Sequence, residues 1–166
     1  MVDRDDGPAP EARPPSLADL VSLGRNLNQE RARYLVIGGM AIIQAGFVRA
    51  TEDIDLLVDT SSENMDRVRA ALLKLPDGAV RDMADDDLER YAVVRVADEF
   101  VVDLMKAACG ITYGEASGLV DVVTIQGVPI PFANPVLLWR TKQTVREKDR
   151  LDRVFLARLL GQQETE

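Results

Sequence analysis

The sequence predicts an α+β domain in which a short mixed β-sheet is flanked by helices. A continuous apolar run, Tyr34–Ile37, is short enough to be a buried strand, and a glycine pair directly after it opens a helical pattern. Further along the chain, two pairs of apolar runs are each separated by a tight turn, which is typical of β-hairpins. Helical periodicity precedes the first strand and follows the last hairpin, so helices pack against a sheet.

The composition is that of an ordinary globular protein, with 46% apolar and 29% charged residues in 166 positions. This length fits one domain with a sizeable core. The sequence contains no histidine, which excludes Ser-His catalysis, histidine general bases and histidine zinc sites. The single cysteine, Cys109, cannot form an internal disulfide, which fits a reducing compartment. We interpret Cys109 as a buried or half-buried thiol rather than a nucleophile, because it lacks a histidine partner.

The charge is unevenly distributed along the chain. The net charge is −8, yet residues 136–160 carry seven lysines and arginines against three acidic residues. An acidic body with a basic C-terminal segment argues against broad nucleic-acid coating and leaves room for a local anionic ligand, such as a triphosphate or an RNA end. Residues 1–30 lack the apolar core of a signal peptide, and no apolar run is long enough to span a membrane. We therefore expect a soluble, cytoplasmic protein without a membrane partner.

The chain opens with a segment rich in proline and charge, residues 1–15, which we predict to be a disordered tail. Ser16 then fits a helix N-cap, and apolar residues at helical spacing continue to about Gln29. We place the folded domain at residues 16–160 and a second disordered tail at residues 161–166.

The segment 34–58 organises the rest of the chain. Gly38 and Gly39 end the first strand with residues that tolerate positive φ and allow another group to approach the backbone. A short buried helix then leads to a second strand that carries Asp53 and Asp55. Since side chains at i and i+2 face the same way on a strand, the two carboxylates lie side by side. Such a pair is costly unless it is neutralised, and a divalent metal with oxygen ligands is the obvious candidate.

The glycine turn and the carboxylate pair together predict phosphoryl or nucleotidyl transfer. The turn opens a helix and therefore offers backbone N–H groups to a phosphate. A phosphate cradle beside a metal-binding carboxylate pair is the arrangement that such transfer uses. The alternative is an ordinary strand-to-helix turn followed by solvated edge-strand residues at Asp53 and Asp55. A dinucleotide site is disfavoured, because residues 38–43 lack the spaced glycines of that fingerprint.

The middle of the chain predicts a helix and a hairpin. Residues 60–63 match a capping box, and apolar residues at helical spacing follow. The acidic run Asp85–Asp87 is interpreted as a solvated loop rather than a metal cluster, since consecutive side chains point in different directions. Runs 91–96 and 100–105 form the first hairpin. Asp103 interrupts the second run and needs a partner there, unless that strand is an exposed edge.

The C-terminal third begins with residues 106–118, whose glycines suggest a loop or a short helix. Runs 119–125 and 128–132 predict the second hairpin. Asn134 and Pro135 then fit the N-cap and the first residue of a helix.

This last helix is predicted to continue to about Leu160, with a bend near Val145. Lys142 lies in its first half, and Arg146 and Asp149 follow on the same helical face. If the helix packs across the open side of the sheet, Lys142 reaches the β- and γ-phosphates of a nucleotide. The alternative is a solvated basic face.

At these residues the sequence resembles a known family. The glycine pair, followed after thirteen residues by Asp53-Ile54-Asp55-Leu56, resembles the signature of the nucleotidyltransferase superfamily, which has the polymerase-β-like fold. The lead-in Arg49-Ala50-Thr51 is most similar to small prokaryotic members, including the AbiEii-type toxins of toxin–antitoxin pairs. The segment from Asn134 to Asp152 resembles the C-terminal part of the same proteins more loosely.

The resemblance implies a Mg²⁺-dependent enzyme that moves an NMP from an NTP to an acceptor hydroxyl. Its implied catalytic and metal-ligating residues are Asp53, Asp55 and Asp103. Its implied nucleotide-binding residues are Gly38, Gly39, Thr51 and Lys142. Asp103 is also the best candidate for a general base, whereas Thr51 is equally well interpreted as a residue that merely favours a strand.

The implied partners are an NTP, an acceptor that is RNA (a tRNA) or a protein, and a cognate antitoxin. Two alternatives stand beside this reading. One is a non-catalytic antitoxin or binding partner that kept the fold, against which the three filled acidic positions argue. The other is a small-molecule nucleotidyltransferase of the antibiotic-modifying kind.

Overall fold

The computed structural model describes residues 12–165. Within this range, eight strands form a six-stranded sheet and a separate two-stranded hairpin. The strands are β1 Tyr34–Ile37, β2 Asp53–Val58, β3 Val93–Ala97, β4 Val101–Met105, β5 Ala107–Ala108, β6 Ile111–Thr112, β7 Val120–Ile125 and β8 Val128–Ala133. The helices are α1 Leu17–Gln29, α2 Gly38–Gln44, α3 Ser62–Leu72, α4 Asp87–Arg90, α5 Tyr113–Ala116, α6 Pro135–Thr141 and α7 Arg150–Thr165. Short 3₁₀ turns lie at Ala79–Asp82 and Glu147–Asp149.

The large sheet is mixed, in the order β3-β4-β2-β1-β8-β7. β2 runs parallel to β4 and antiparallel to β1, which in turn runs parallel to β8. The two predicted hairpins are confirmed as the antiparallel pairs β3–β4 and β7–β8. α1 packs on α3 and β8, while α2 packs on β1, β2 and α6. The predicted α+β architecture, a mixed sheet flanked by helices, is therefore confirmed.

Strand alternation on β2 separates a face that packs in the core from a face that carries Asp53 and Asp55. Ile54 and Leu56 are fully buried on one side of the strand, whereas Asp53 and Asp55 point to the other. All four residues of β1 are buried, which fits a central strand covered on both faces. The apolar core thus holds β2 rigidly from one side, and the two carboxylates stand on its opposite side.

Helix capping follows the predicted residue types, with one shift in register. The Ser16 and Asn134 side chains cap α1 and α6 as predicted. At α3 the cap is Ser61, whose hydroxyl accepts from the Asn64 N–H, so the predicted box at residues 60–63 is wrong by one position. Asn64 is also buried; its side chain accepts from the Arg33 N–H, just before β1, and donates to the Asp59 carbonyl, just after β2. These extra bonds favour the observed register.

The boundaries predicted for the two tails fall partly outside the described residues, namely at 1–11 and 166. Within the described range, the Arg13 side chain pairs with Asp19 and Glu99. At the other end, α7 continues to Thr165, five residues beyond the predicted limit of the domain. The domain limits themselves stay a prediction. Among residues 12–165, no helix has the length and apolar character needed to cross a bilayer.

The predicted continuous C-terminal helix is wrong, because the chain breaks it between α6 and α7. α6 ends at Thr141, and Lys142 occupies its C-cap. The Thr144 hydroxyl then donates to Asp149 and accepts from the Arg146 N–H, which shapes a loop instead of a helical turn. Residues 106–118, predicted as a loop or a short helix, contain the β5–β6 hairpin followed by the short helix α5.

Candidate active site

Three carboxylates meet on one face of the sheet: Asp53 and Asp55 of β2 and Asp103 of β4. Because β2 and β4 are parallel and Asp55 lies in register with Asp103, the two side chains stand beside each other. One carboxylate oxygen from each of the three residues lies within 4.8 Å of the others. Asp103 is nearly inaccessible, with 8% of its side chain exposed, and Asp53 keeps 19%. The predicted acidic set is thus assembled in one place, and the exposed-edge alternative for Asp103 is excluded.

The surroundings of this acidic cluster oppose its negative charge. Burial, followed by the charges of Asp53 and Asp103, raises the pKa of Asp55 to about 7. Burial and the neighbouring Asp103 also raise the pKa of Asp53. The cluster therefore favours binding of a proton or a cation.

Because the Asp55 carboxyl group is hard to ionise in the folded state, the metal-free protein should become less stable as the pH rises. The pKa of Asp55 is about 7 in the folded protein, against an ordinary 3.8, so the folded state binds this proton more tightly than the unfolded chain. The stabilisation is full below about pH 4 and is lost as the pH rises through about 7. Between about pH 5 and pH 8, we expect the free energy of unfolding in urea and EDTA to fall by roughly 2 kcal/mol.

Asp55→Asn should flatten this dependence on pH, because the amide has no proton to lose. The matched control is Asp121→Asn, which changes an exposed aspartate on β7 at the far edge of the sheet. Equal slopes in wild type and Asp55→Asn would contradict the assignment of the pKa shift to Asp55.

The glycine turn lies directly against the acidic cluster. Gly38 has a φ of +67°, and a Cβ atom there would collide with the Asp55 carboxylate. A Cβ atom on Gly39 would collide with the Thr51 side chain. Both positions therefore require glycine: Gly38 for its conformation and its contact with Asp55, and Gly39 for its contact with Thr51 just before β2. The Thr51 hydroxyl donates to the Asp53 carbonyl at 3.1 Å, which fixes the entry of β2.

Lys142 lies in the same cleft, but not on a solvated helix face. It is 7% exposed, and its Nζ lies 3.0 Å from Asp149 and 3.1 Å from Asp152. Asp152 also pairs with Arg49 at 2.9 Å. The predicted single face for Lys142, Arg146 and Asp149 is wrong as helix geometry, yet the loop between α6 and α7 brings these charges together.

Two basic residues of the site were missed by sequence reasoning. Lys148 is exposed in the 3₁₀ turn that precedes α7, and its positive charge partly offsets the rise that burial causes in the pKa of Asp53 and Asp55. Arg95 of β3 donates to both oxygens of Asp103 and to Asp53. Arg95 lies directly opposite Asp103 in the β3–β4 pairing, so the hairpin prediction held a signal for it. No comparable signal marked Lys148, which depends on the break between α6 and α7.

These groups line a cleft of about 690 Å³. Among the described residues, its lining contains five cationic and five acidic side chains, namely Arg49, Arg95, Lys142, Arg146 and Lys148 with Glu52, Asp53, Asp55, Asp103 and Asp149. The remaining wall is largely small or apolar, with Ala92, Val93, Met105, Ala107 and Ala108. An acidic floor beside a basic wall fits a metal-bound polyanion, and the apolar side leaves room for a less polar group.

Two other features singled out in the sequence, Cys109 and the run Asp85–Asp87, lie outside the acidic cluster. Cys109 is exposed at the rim of the cleft rather than buried, because it occupies the turn between β5 and β6. Its thiol donates to the Thr141 carbonyl at 3.3 Å. Asp85 and Asp86 are exposed as predicted, and Asp85 pairs with Arg69 at 3.1 Å. Asp87 is half-buried and begins α4, so the predicted loop is wrong at that residue.

Comparison with known proteins gives a fold but no family. No protein-family model matches the chain, and no curated protein matches it either. Among solved structures, a proposed nucleotidyltransferase from Thermotoga maritima is similar, with a TM-score of 0.53 at 18% identity over 90% of this chain and 92% of that one. An antigenic nucleotidyltransferase-like protein from Paracoccidioides brasiliensis gives 0.52 at 18% identity, covering 88% and 78% of the two chains. The predicted nucleotidyltransferase fold is therefore confirmed.

Proposed function

We propose that this protein is a metal-dependent nucleotidyltransferase that moves an NMP from an NTP to an acceptor hydroxyl. The observation that carries the proposal is the meeting of Asp53, Asp55 and Asp103, with ligand oxygens within 4.8 Å, directly against the Gly38 turn. The likeness to two structures named for this activity supports it.

The residues of the cluster fit a divalent metal. The three side chains supply only carboxylate oxygens, the donors that Mg²⁺ prefers. The Arg95 guanidinium already lies against Asp53 and Asp103, so the site holds a cation in the form of a side chain. When bound there, Mg²⁺ would stabilise negative charge on the phosphoryl oxygens.

The chain's own groups then have distinct tasks. Asp53 and Asp55 would hold the metal, and Asp103 would take the proton from the acceptor hydroxyl as a general base while that oxygen attacks the α-phosphorus and pyrophosphate leaves. Gly38 and Gly39 present their backbone to the phosphates without a side chain in the way. The Thr51 hydroxyl donates a hydrogen bond to the backbone carbonyl of Asp53, so a phosphate contact donated by Thr51 would require that bond to break.

We assign phosphate binding on the basic wall to Lys148 beside Lys142. Lys148 is exposed, lines the cleft and has no ion pair within 4.0 Å among the described residues. Lys142 is buried between two carboxylates, so its charge is already compensated. An exposed ammonium group can follow the incoming triphosphate at little structural cost, whereas a buried one also supports the fold.

Two alanine variants separate these tasks. Lys148→Ala should raise the KM for the NTP about ten-fold and shift the free energy of unfolding by less than roughly 0.5 kcal/mol. Lys142→Ala leaves Asp149 and Asp152 with fewer partners and should lower that free energy by roughly 3 kcal/mol. Urea unfolding and steady-state kinetics on both variants test the assignment. An unchanged KM in Lys148→Ala would show that Lys148 is an ordinary surface residue that does not bind the nucleotide.

For the acceptor, we propose RNA, in particular tRNA, or a protein, in the manner of a toxin with a cognate antitoxin. This proposal rests on the resemblance of the Arg49–Leu56 segment to AbiEii-type toxins. The test incubates the purified protein with each α-labelled NTP, Mg²⁺ and either total RNA, cell lysate or a small-molecule fraction. Label in RNA or protein is the expected result. Label in small molecules would favour the antibiotic-modifying class, and no label in any fraction would reject the enzyme.

A further inference from the structure

Arg95 binds the acidic cluster through three hydrogen bonds. Its Nε and Nη2 atoms each lie 3.0 Å from a different oxygen of Asp103, which is bidentate pairing. Nη2 also lies 3.3 Å from Asp53 Oδ2. The pairing is built into the sheet, since Arg95 of β3 stands opposite Asp103 of β4. One guanidinium therefore occupies oxygens on two of the three residues that the proposed metal would use.

The Arg95 guanidinium and a divalent metal would compete for the same carboxylates, and the guanidinium is the group that can move away. A metal bound to Asp53 and Asp103 would place two further positive charges beside the guanidinium, and like charges at that distance repel. Asp53 and Asp103 are largely buried, so their carboxylates cannot rotate outward to bind the metal and the guanidinium at the same time. Arg95 can move, because its side chain is 61% exposed and β3 is an edge strand of the sheet. Metal binding is thus expected to release the guanidinium, not the carboxylates.

We propose that Arg95 is a built-in counter-cation that neutralises the acidic cluster in the metal-free protein and is displaced when a divalent metal binds. The inference rests on the metal site of the proposed function. Arg95 stabilises the empty cluster against the repulsion among its carboxylates. It also sets a threshold for metal binding, since part of the binding free energy is spent on breaking its three hydrogen bonds.

The test measures metal affinity directly, by calorimetric titration of Mn²⁺ and Mg²⁺ into protein treated with EDTA. Arg95→Gln removes the competing charge and should bind Mn²⁺ about ten-fold more tightly than wild type. Arg95→Lys keeps the charge but cannot pair in the same bidentate way, and should fall between the two. The control is Arg67→Gln, which makes the same change in net charge on α3, where Arg67 pairs with the exposed Glu63 and donates to the Arg31 carbonyl.

A second readout is thermal unfolding. In EDTA, Arg95→Gln should melt below wild type because the carboxylates lose their counter-cation, and saturating Mn²⁺ should close or reverse that gap. Equal or weaker Mn²⁺ affinity in Arg95→Gln would overturn the proposal and make Arg95 a positioning residue for Asp103. If wild type and Arg95→Gln both fail to bind metal, the metal site of the proposed function falls and this inference falls with it. Binding in wild type without a gain in the variant overturns this inference alone.

Discussion

Asp53→Asn and Asp55→Asn are each expected to lower the rate of nucleotidyl transfer by at least about a thousand-fold. Each change replaces a charged ligand oxygen with a neutral amide at the centre of the acidic cluster, where the ligand atoms lie within 4.8 Å. Stability should hold or rise at neutral pH, because burial and mutual repulsion already raise the pKa of both carboxyl groups. The loss of activity would therefore report on chemistry and not on folding.

The measurement is transfer of labelled NMP to the acceptor found in the labelling experiment, with Tm recorded on the same samples. Asp121→Asn serves as the control, since it makes the same chemical change at an exposed position on the opposite edge strand. Transfer near the wild-type rate in both cluster variants would reject the catalytic assignment. A fall in Tm below that of Asp121→Asn would show that the acidic cluster supports the fold instead.

Gly38→Ala, which adds a single methyl group beside the acidic cluster, should strongly lower the stability of the protein. The residue has a φ of +67°, which strains any L side chain, and its new Cβ would collide with the Asp55 carboxylate. We expect a loss of roughly 4 kcal/mol in the free energy of unfolding, from strain and displacement of β2 together. Metal affinity of the folded fraction should also fall, because Asp55 is moved from its place.

Gly127→Ala provides a matched control for backbone strain. Gly127 has a φ of +80° in the β7–β8 turn, and a Cβ atom there meets nothing within 4 Å. This variant should therefore lose only about 1 kcal/mol. A double-mutant cycle of Gly38→Ala with Asp55→Ala isolates the contact, since removing the carboxylate should restore part of the lost stability. Similar losses in Gly38→Ala and Gly127→Ala, with no coupling to Asp55, would show that close contact with the carboxylate does not matter.

Local sequence signals determined most of the elements. Ser16 and Asn134 predicted helix starts because their side chains satisfy free N–H groups within three residues. The i, i+2 spacing of Asp53 and Asp55 placed both carboxylates on one face, since alternation is a property of any strand. Asp103 was identified because a carboxylate in an apolar run needs a neutralising partner. Each of these signals acts over a few residues, so the sequence carries it without reference to the fold.

Tertiary structure decided which charges surround the acidic cluster. Arg49 pairs with Asp152 across 103 positions of sequence, and Arg95 reaches Asp53 across 42. Such pairs depend on the strand order and on how α7 packs on α6, which no local pattern encodes. The helical periodicity of residues 134–160 was real, but a buried lysine between Asp149 and Asp152 needs the chain to turn at Lys142. A straight helix would place Asp149 about 10 Å from Lys142 along its axis, so the contacts of Lys142 with Asp149 and Asp152 exist only because the chain turns there.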